Sequence, residues 1–478
     1  MHTKLHKLYK DIYLKYLAIY ITILMASLMT SCASGKVEVT PLKPLVDEAQ
    51  IEAIADSEPV DQINKNLFQA GNMQRMTLSF VALKIMSTNP DIEIFSAREA
   101  QAKFSVAMSR AKLMPTLDVK VGGGPENVYK PAGNTLGSLR KEASLSLKTT
   151  LFDFGKRDKD IAQSEAAYEA AQLRSKDKVD GILLTLANAY LDVLQTRDMA
   201  RVTSKNIVQI HKFKNLVQSN LDEGNASVAD LKKVEARLEN ARANYVDLKA
   251  DYETSRENFK KITDFYPVNL QAPPKLSAYE KANFADEEFN LADNKNLLNA
   301  VRQDIESLKQ KLNALEASDK PVIKIGALAD YKENVSGLND GVFDLRLDLS
   351  VKYRLFDGGL KQAEQKKIQA EIREGRALLR KKTQAFEQDM RNADSDQKAS
   401  AKKNALLATR FRAAAKVVEL NGVQFNEGVL TVFELLDAQA QLLSAKQDLI
   451  GNQYQKYRLR YKQLQLADRL LTSLVVAP

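Results

Sequence analysis

From Phe343 to Leu355 every second residue is apolar: Phe343, Leu345, Leu347, Leu349, Val351, Tyr353 and Leu355 alternate with Asp344, Arg346, Asp348, Ser350, Lys352 and Arg354. A period of two is the mark of a β-strand with one oily and one wet face. Ile323, Ile325, Ala327 and Ala329 show it just upstream, so 322–355 is predicted to be a hairpin. A weaker version comes earlier in the chain. Leu117, Val119 and Val121 alternate with Thr116, Asp118 and Lys120, and Leu145, Leu147, Thr149 and Leu151 with Ser144, Ser146, Lys148 and Thr150. These make a second hairpin, 116–151, around a Gly/Pro/Asn-rich loop expected over Gly122–Gly137. Either a soluble sheet covered by a core layer or a barrel wall with lipid outside and water inside has this pattern. The flanking helices carry apolar stripes of their own and leave no layer to cover two long hairpins, which favours the membrane wall.

The rest of the pattern is helical. A helix starts at Met76, breaks at Asn89-Pro90-Asp91, where Pro90 suits a new first turn, and resumes to about Met114, where Pro115 stops it. After each hairpin the chain turns into a long helix at matching landmarks. Leu151-Phe152-Asp153 recurs as Leu355-Phe356-Asp357 and the turn glycine Gly224 as Gly428, both shifted by 204 (355 − 151 and 428 − 224). The 73 positions between landmarks (224 − 151) would span roughly 110 Å as continuous helix, a length suited to a coiled coil, stalk or tunnel. The helix returning after Gly224 has heptads, Leu231, Leu238, Tyr245, Tyr252 and Phe259 with Val234, Ala241, Leu248 and Ile262 alongside, echoed by Leu435, Leu442 and Leu449.

The expected organisation is repeat 1 over 75–264, a linker over 265–286 with a Pro-rich start from Pro267 to Pro274, repeat 2 over 287–470 and a tail over 471–478. The fold class is mostly α with a small β part: long coiled-coil hairpins forming an α-barrel, and four transmembrane strands per chain. Four strands cannot close a barrel, and open edges are not tolerated in lipid. Three copies would supply twelve strands, so a homotrimer is expected.

Composition removes other classes. The histidines are His2, His6 and His211 and the one cysteine is Cys32, which rules out a Cys/His zinc site or a disulfide within the chain. No nucleophile cluster or phosphate loop is recognisable, so neither an enzyme nor a cofactor is expected. Residues 1–31 read as an export signal, with Lys4, Lys7, Lys10 and Lys15 before an apolar run from Tyr16 to Met29. Its removal takes four lysines and Asp11 from a net charge of +9, leaving +6 (9 − 3), which does not point to nucleic acid. The signal ends in Leu28-Met29-Thr30-Ser31-Cys32, like a bacterial lipoprotein signal, in which case Cys32 is the lipid attachment point and mature N-terminus. The alternative is an ordinary signal followed by an unmodified thiol. Residues 33–74, with Pro41, Pro44 and Pro59, read as an extended tether.

The order of these features carries a resemblance. Helix, hairpin, Leu-Phe-Asp-Phe-Gly-Lys-Arg (151–157), long helix, a Glu-Gly turn and a returning helix, duplicated with Leu-Phe-Asp-Gly-Gly (355–359) and Gly428-x-x-Thr431-x-x-Glu434-Leu435-Leu436-Asp437-Ala438, resemble the TolC-like outer-membrane efflux protein family over about residues 75–470. The resemblance implies a trimeric, passive channel-tunnel in the outer membrane of a Gram-negative bacterium, with helices extending into the periplasm. It would dock with a periplasmic adaptor (membrane fusion) protein and an inner-membrane ABC, RND or similar pump, and would export small toxic molecules or, by type I secretion, proteins. The competing reading is a periplasmic coiled-coil adaptor or structural envelope lipoprotein without a pore.

The resemblance also places a gate at the far turns, Gly224 and Gly428. Glu434 and Asp437 match acidic residues lining the entrance, Asp230 matches an acidic gate residue, and Phe425 falls at an aromatic position used in the closed state. Leu430 stands where relatives have a basic residue and Ala229 where they have a hydroxyl, so the resemblance does not extend to the bonds that lock the closed state. A second role is open for two of these acids, because Ser227-x-x-Asp230 and Thr431-x-x-Glu434 both read as helix capping boxes. The turns at Leu151–Gly155 and Leu355–Gly359 are expected to be structural, and Lys156, Arg157 and Lys159 to form a solvated face.

Overall fold

A computed structural model describes residues 76–129, 135–274, 292–335 and 341–476. The expected signal, Cys32 and the tether 33–74 lie outside the described residues.

Two helices set the dimensions. Helix α1 (Leu78–Thr88) starts where the Thr77 hydroxyl accepts the N–H of Phe80. Asn89 ends it and caps α2 (Pro90–Ala111), its side-chain oxygen accepting from the N–H groups of Asp91 and Ile92, with Pro90 in the first turn. Strands β1 (Thr116–Tyr129) and β2 (Thr135–Phe152) lead into α3 (Lys156–Asp222), and α4 (Val228–Thr263) returns. The second half follows with α5 (Asn296–Ala317), β3 (Val322–Glu333), β4 (Val342–Lys352), α6 (Leu360–Asn426), α7 (Val432–Leu466) and the short α8 (Leu470–Val476). Helices α3 and α6 are both 67 residues long and start 204 positions apart (360 − 156). Each is about 100 Å long, less than the 110 Å expected, because Leu151–Gly155 belong to the strand end and turn rather than to the helix.

Each long helix is paired along its length by two shorter ones. Helix α3 packs on α4 and α2, and α6 on α7 and α5. Helix α5 also packs on α3 and α7 on α3, which joins the two halves. Where these contacts converge, α3 is buried almost all round: Val179, Leu183, Leu186, Ala187, Tyr190, Leu191, Val193 and Leu194 lie inside a collar that includes Phe259, Leu470 and the Ile85 face of α1. A helix segment with apolar residues on most of its sides requires such wrapping. The Tyr190 hydroxyl, buried there, lies 2.8 Å from the carbonyl oxygen of Met76 and 2.7 Å from that of Gln271. These two backbone segments also pair with one another, through a bridge between Met76 and Leu270.

The sheet is antiparallel in the order β1-β2-β3-β4. Its register aligns the oily positions of all four strands into rows: Val119–Leu145–Ala329–Leu345, Leu117–Leu147–Ala327–Leu347, and Val121–Ala143–Tyr331–Phe343. The intervening rows are mainly polar, as in Lys120–Ser144–Asp330–Asp344, with Leu328 an apolar member of the row Asp118–Ser146–Leu328–Arg346. Among the described residues no layer covers the oily face: Val119, Leu345 and Leu347 are each about seven-tenths exposed.

Four boundaries differ from the sequence expectations. The segment expected to be a loop from Gly122 continues β1 as far as Tyr129, with Gly122, Gly123 and Gly124 paired to Glu142, Lys141 and Arg140. Pairing is a backbone property, and the glycines suit it here because a Cβ at Gly123 would stand 3.1 Å from the carbonyl oxygen of Arg140. Strand β4 stops at Lys352 rather than Leu355, because its partner β3 begins at Val322, opposite Lys352. The tail expected from 471 contains α8, held by buried Leu470 and Leu474. The start of the expected linker is docked, with Leu270 buried, while 275–286 lies outside the described residues.

Candidate functional site

The strand-to-helix turns are built from backbone conformation and one carboxylate each. Phe154 and Gly155 have φ of 56° and 80°, and Gly358 and Gly359 have 69° and 85°. Glycine enters this left-handed region freely, whereas Phe154 is strained there. Asp357 accepts the N–H groups of Gly359 at 3.0 Å and Lys361 at 3.1 Å, which holds its carboxyl below the usual aspartate range. Asp153 accepts from the N–H of Arg157 at 3.3 Å and from its Nε at 2.5 Å. Arg157 also donates to the carbonyl oxygens of Thr150 and Lys112. It is therefore a tie between strand, turn and helix, not part of a solvated face. Lys156 pairs with Asp160 at 2.7 Å.

At the other end the two tips share one construction. The N–H of Asn225 bonds to the carbonyl of Asn220 and that of Gly224 to Leu221, and in the twin Val429 bonds to Gln424 and Gly428 to Phe425. Crossed pairs of this kind end a helix at a left-handed residue, and Gly224 and Gly428 supply φ of 81° and 75°. The next helices begin with the expected capping boxes. Ser227 Oγ accepts the N–H of Asp230 at 3.1 Å while Asp230 takes the Ser227 hydroxyl at 2.7 Å, and Thr431 and Glu434 repeat this at 3.3 and 2.7 Å. These hydroxyl bonds, with Lys233 beside Asp230 and the Thr431 N–H at Glu434, hold both carboxyls below their usual range.

One apolar cluster unites the tips. Phe213, Val217, Leu231, Val234, Leu435 and Leu436 are buried together, with Leu430 packed against them. Phe425, a gate residue only by the family resemblance, meets Phe213 edge to face with ring centroids 5.1 Å apart. Asp230 and Glu434 thus head two helices whose next residues, Leu231 and Leu435, share a core. Asp437 follows buried Leu436, is exposed and accepts a hydrogen bond from Gln441 at 2.7 Å.

Sequence reasoning missed a buried ionic cluster at the middle of the helices. Lys295, only 4% exposed, pairs with Asp177 at 3.1 Å and with Asp468, and donates to the carbonyl of Gln465. Asp468 also caps α5 through the N–H of Asn296 at 2.6 Å. Asp180 accepts the N–H of Leu471 at 3.3 Å. Burial, and then the charge of Asp468, push the Asp180 carboxyl up to about 7. In the sequence Asp180 stands only as one of two aspartates, with Asp192, in the largely apolar stretch 179–194. Among the described residues no group of three or more His, Cys, Asp or Glu is placed to hold a metal, and no helix is long and apolar enough to cross a membrane.

The family model for outer membrane efflux proteins matches residues 83–263 and 290–467. The outer membrane protein TolC of Salmonella enteritidis is 21% identical over 379 residues, 77% of either chain. The outer membrane efflux protein BepC of Brucella suis biovar 1 is 20% identical over 401 residues, 82% of this chain and 86% of BepC. Among solved structures, the outer-membrane channel OprN superposes with a TM-score of 0.73 at 18% identity, covering 82% of this chain and 89% of that one. The outer membrane protein VceC of Vibrio cholerae gives 0.70 at 14% identity, covering 82% and 96%.

Proposed function

The chain belongs to the outer membrane efflux protein family, and from that premise we propose that three copies assemble into a passive export conduit spanning the outer membrane of a Gram-negative bacterium. The observation that supports this best is the two-faced sheet. Its apolar positions run from Phe343 to Tyr353, ten steps and roughly 34 Å along the strand direction. At a strand tilt of about 40° that is a band about 25 Å tall, the height of the apolar belt of an outer-membrane barrel. Aromatic residues stand at both edges of the band, Tyr331 opposite Phe343 at one and Phe152 with Tyr353 at the other. Such girdles sit at the two lipid–water interfaces. Within one chain β1 and β4 each leave an edge unpaired, and pairing β4 of one copy to β1 of the next closes a ring of twelve strands.

In this reading α3 and α6 carry the passage about 100 Å into the periplasm, to an entrance at the two tips. Asp437, Glu434 and Asp230 supply the acidic lining, and Phe425, seated on Phe213, supplies an aromatic brace of the closed state. With Leu430 in the shared apolar cluster, closure rests on packing in place of a basic residue's bonds. A periplasmic adaptor protein engages the tips, and an inner-membrane ABC, RND or similar pump supplies the energy. The cargo is small toxic molecules or proteins secreted by the type I route. Cys32, if acylated, adds a lipid anchor at the N-terminus.

The test is cysteine labelling of outer-membrane fractions and conductance of the purified protein. Leu347→Cys should react only with membrane-soluble reagents and Asp348→Cys only with water-soluble ones, and reconstituted protein should conduct steadily. Equal labelling of both positions by the water-soluble reagent, or absence of conductance, would overturn the reading in favour of a pore-less periplasmic protein.

A further inference from the structure

The register brings three lysines from distant parts of the chain together on the polar face, at the end of the sheet nearest the long helices. Lys148 of β2 stands opposite Gly326, Lys324 of β3 stands between Thr150 and Ser350, and Lys352 of β4 is paired with Val322. The three are successive diagonal neighbours, about 7–8 Å from one to the next. All are exposed, and among the described residues none forms an ion pair. Gly326 keeps the ground between them clear: a Cβ there would stand 4.0 Å from Cγ of Lys148.

Farther along the same face the cations are ion-paired. Arg346 pairs with Asp344, Lys332 with Asp330, and Glu142 with both Lys120 and Arg140. Asp118 and Asp348 are the carboxylates nearest to the lysines in the register, and neither is within ion-pair distance of them. Asp348 shares the row of Lys148 across Gly326, whereas the row of Lys324 and the position of Lys352 beyond it hold no acid, so this end of an otherwise ion-paired face carries unpaired lysines and a net positive charge.

We propose that Lys148, Lys324 and Lys352 form an anion-binding collar at the inner end of the barrel, favouring passage of small molecules that carry carboxylate or phosphate groups. This rests on the conduit reading, because only a closed barrel makes the polar face a lumen. Three copies put nine ammonium groups around one passage. A narrow opening lined by a single sign of charge, with low-dielectric walls, concentrates the field and raises the local concentration of the opposite ion. The collar lies at the opposite end of the helices from Glu434 and Asp437, so the conduit carries opposite signs at its two ends.

The experiment uses the full-length protein in planar bilayers of uncharged lipid under a KCl gradient, with inorganic pyrophosphate added on the helix side. Replacing the collar as K148Q/K324Q/K352Q should raise the half-blocking pyrophosphate concentration at least about fivefold and shift the reversal potential toward cation preference. The arginine triple variant should keep the block, and Lys120→Gln, at an ion-paired site on the same face, should leave it nearly unchanged. If the glutamine triple does not assemble, Lys324→Gln alone is read for the same change in block. A conducting variant with unchanged block and unchanged reversal potential would overturn the collar and leave the conduit standing. No conductance from the unsubstituted protein would overturn the conduit, and the collar with it.

Discussion

Asp180 accepts a hydrogen bond from the backbone N–H of Leu471, 291 positions later in the chain, and so fastens α8 to the middle of α3. The carboxyl is buried beside Asp177, Asp468 and Lys295, and with three acids to one ammonium it holds a proton up to about pH 7. In the unfolded chain it would lose that proton near pH 4. Because the folded pKa is the higher one, its contribution to stability is fully present below pH 4 and is lost as pH rises through 7, on the order of 4 kcal/mol per chain. Purified protein should therefore melt at a higher temperature at pH 5 than at pH 8. Asp180→Asn should flatten this difference, and melting followed by circular dichroism at the two pH values checks it. An unaltered slope in the variant would assign the pH dependence elsewhere.

Helix α5 is wedged between α3 and α6, and its approach to α6 depends on a missing side chain. A Cβ at Gly375 would stand 2.9 Å from Cγ1 of Ile305. Alanine gains about 1 kcal/mol of helix propensity, which offsets part of the clash. Gly375→Leu has no such escape and should cost about 1–3 kcal/mol through overpacking. Ile305→Ala in the same chain should restore part of the loss, since it removes the atom that Leu would meet. Thermal melts of the single and double variants measure both effects.

These two sites show what can be read from a sequence and what cannot. The alternation in β4, the 204-residue shift and the capping boxes at Ser227 and Thr431 are patterns of neighbouring residues, and each is present in the structure. The strand through Gly122–Gly124 carries no side-chain pattern, because it is held by backbone pairing alone. Asp180 with Lys295, Phe213 with Phe425 and the three lysines of the sheet are meetings of distant segments. Their partners are set by register and packing, which one chain's sequence does not state.

The oily face of the sheet gives a prediction with a sharp contrast between neighbours. Leu347 lies in the row Leu117–Leu147–Ala327–Leu347, and Arg346 on the opposite face pairs with Asp344. A charge placed at mid-height on a lipid-facing strand costs about 2–4 kcal/mol. Leu347→Lys should therefore sharply lower the amount of trimer recovered from outer membranes, whereas Arg346→Gln on the wet face should not. Comparable losses from both would mean that the two faces are not in different solvents.

At the tip, capping and lining can be separated. Glu434 completes a capping box with Thr431, while Asp437 lies one turn farther on and bonds only to Gln441 among the described residues. Thr431→Ala should cost about 1 kcal/mol of tip stability. Asp437→Ala should leave stability nearly unchanged and lessen cation preference in bilayer recordings, because a ring of three carboxylates at an entrance attracts cations. Phe425→Ala should act through a third route, removing the edge-to-face contact with Phe213 that joins α6 to α3 and raising the fraction of time the channel spends open. Single-channel recordings should show reduced cation selectivity for Asp437→Ala and altered gating for Phe425→Ala, whereas Thr431→Ala should keep its selectivity and show faster amide hydrogen exchange at the tip in a hydrogen-exchange measurement. If Asp437→Ala leaves selectivity unchanged, Asp437 does not line the entrance, and the acidic ring must be sought at Glu434.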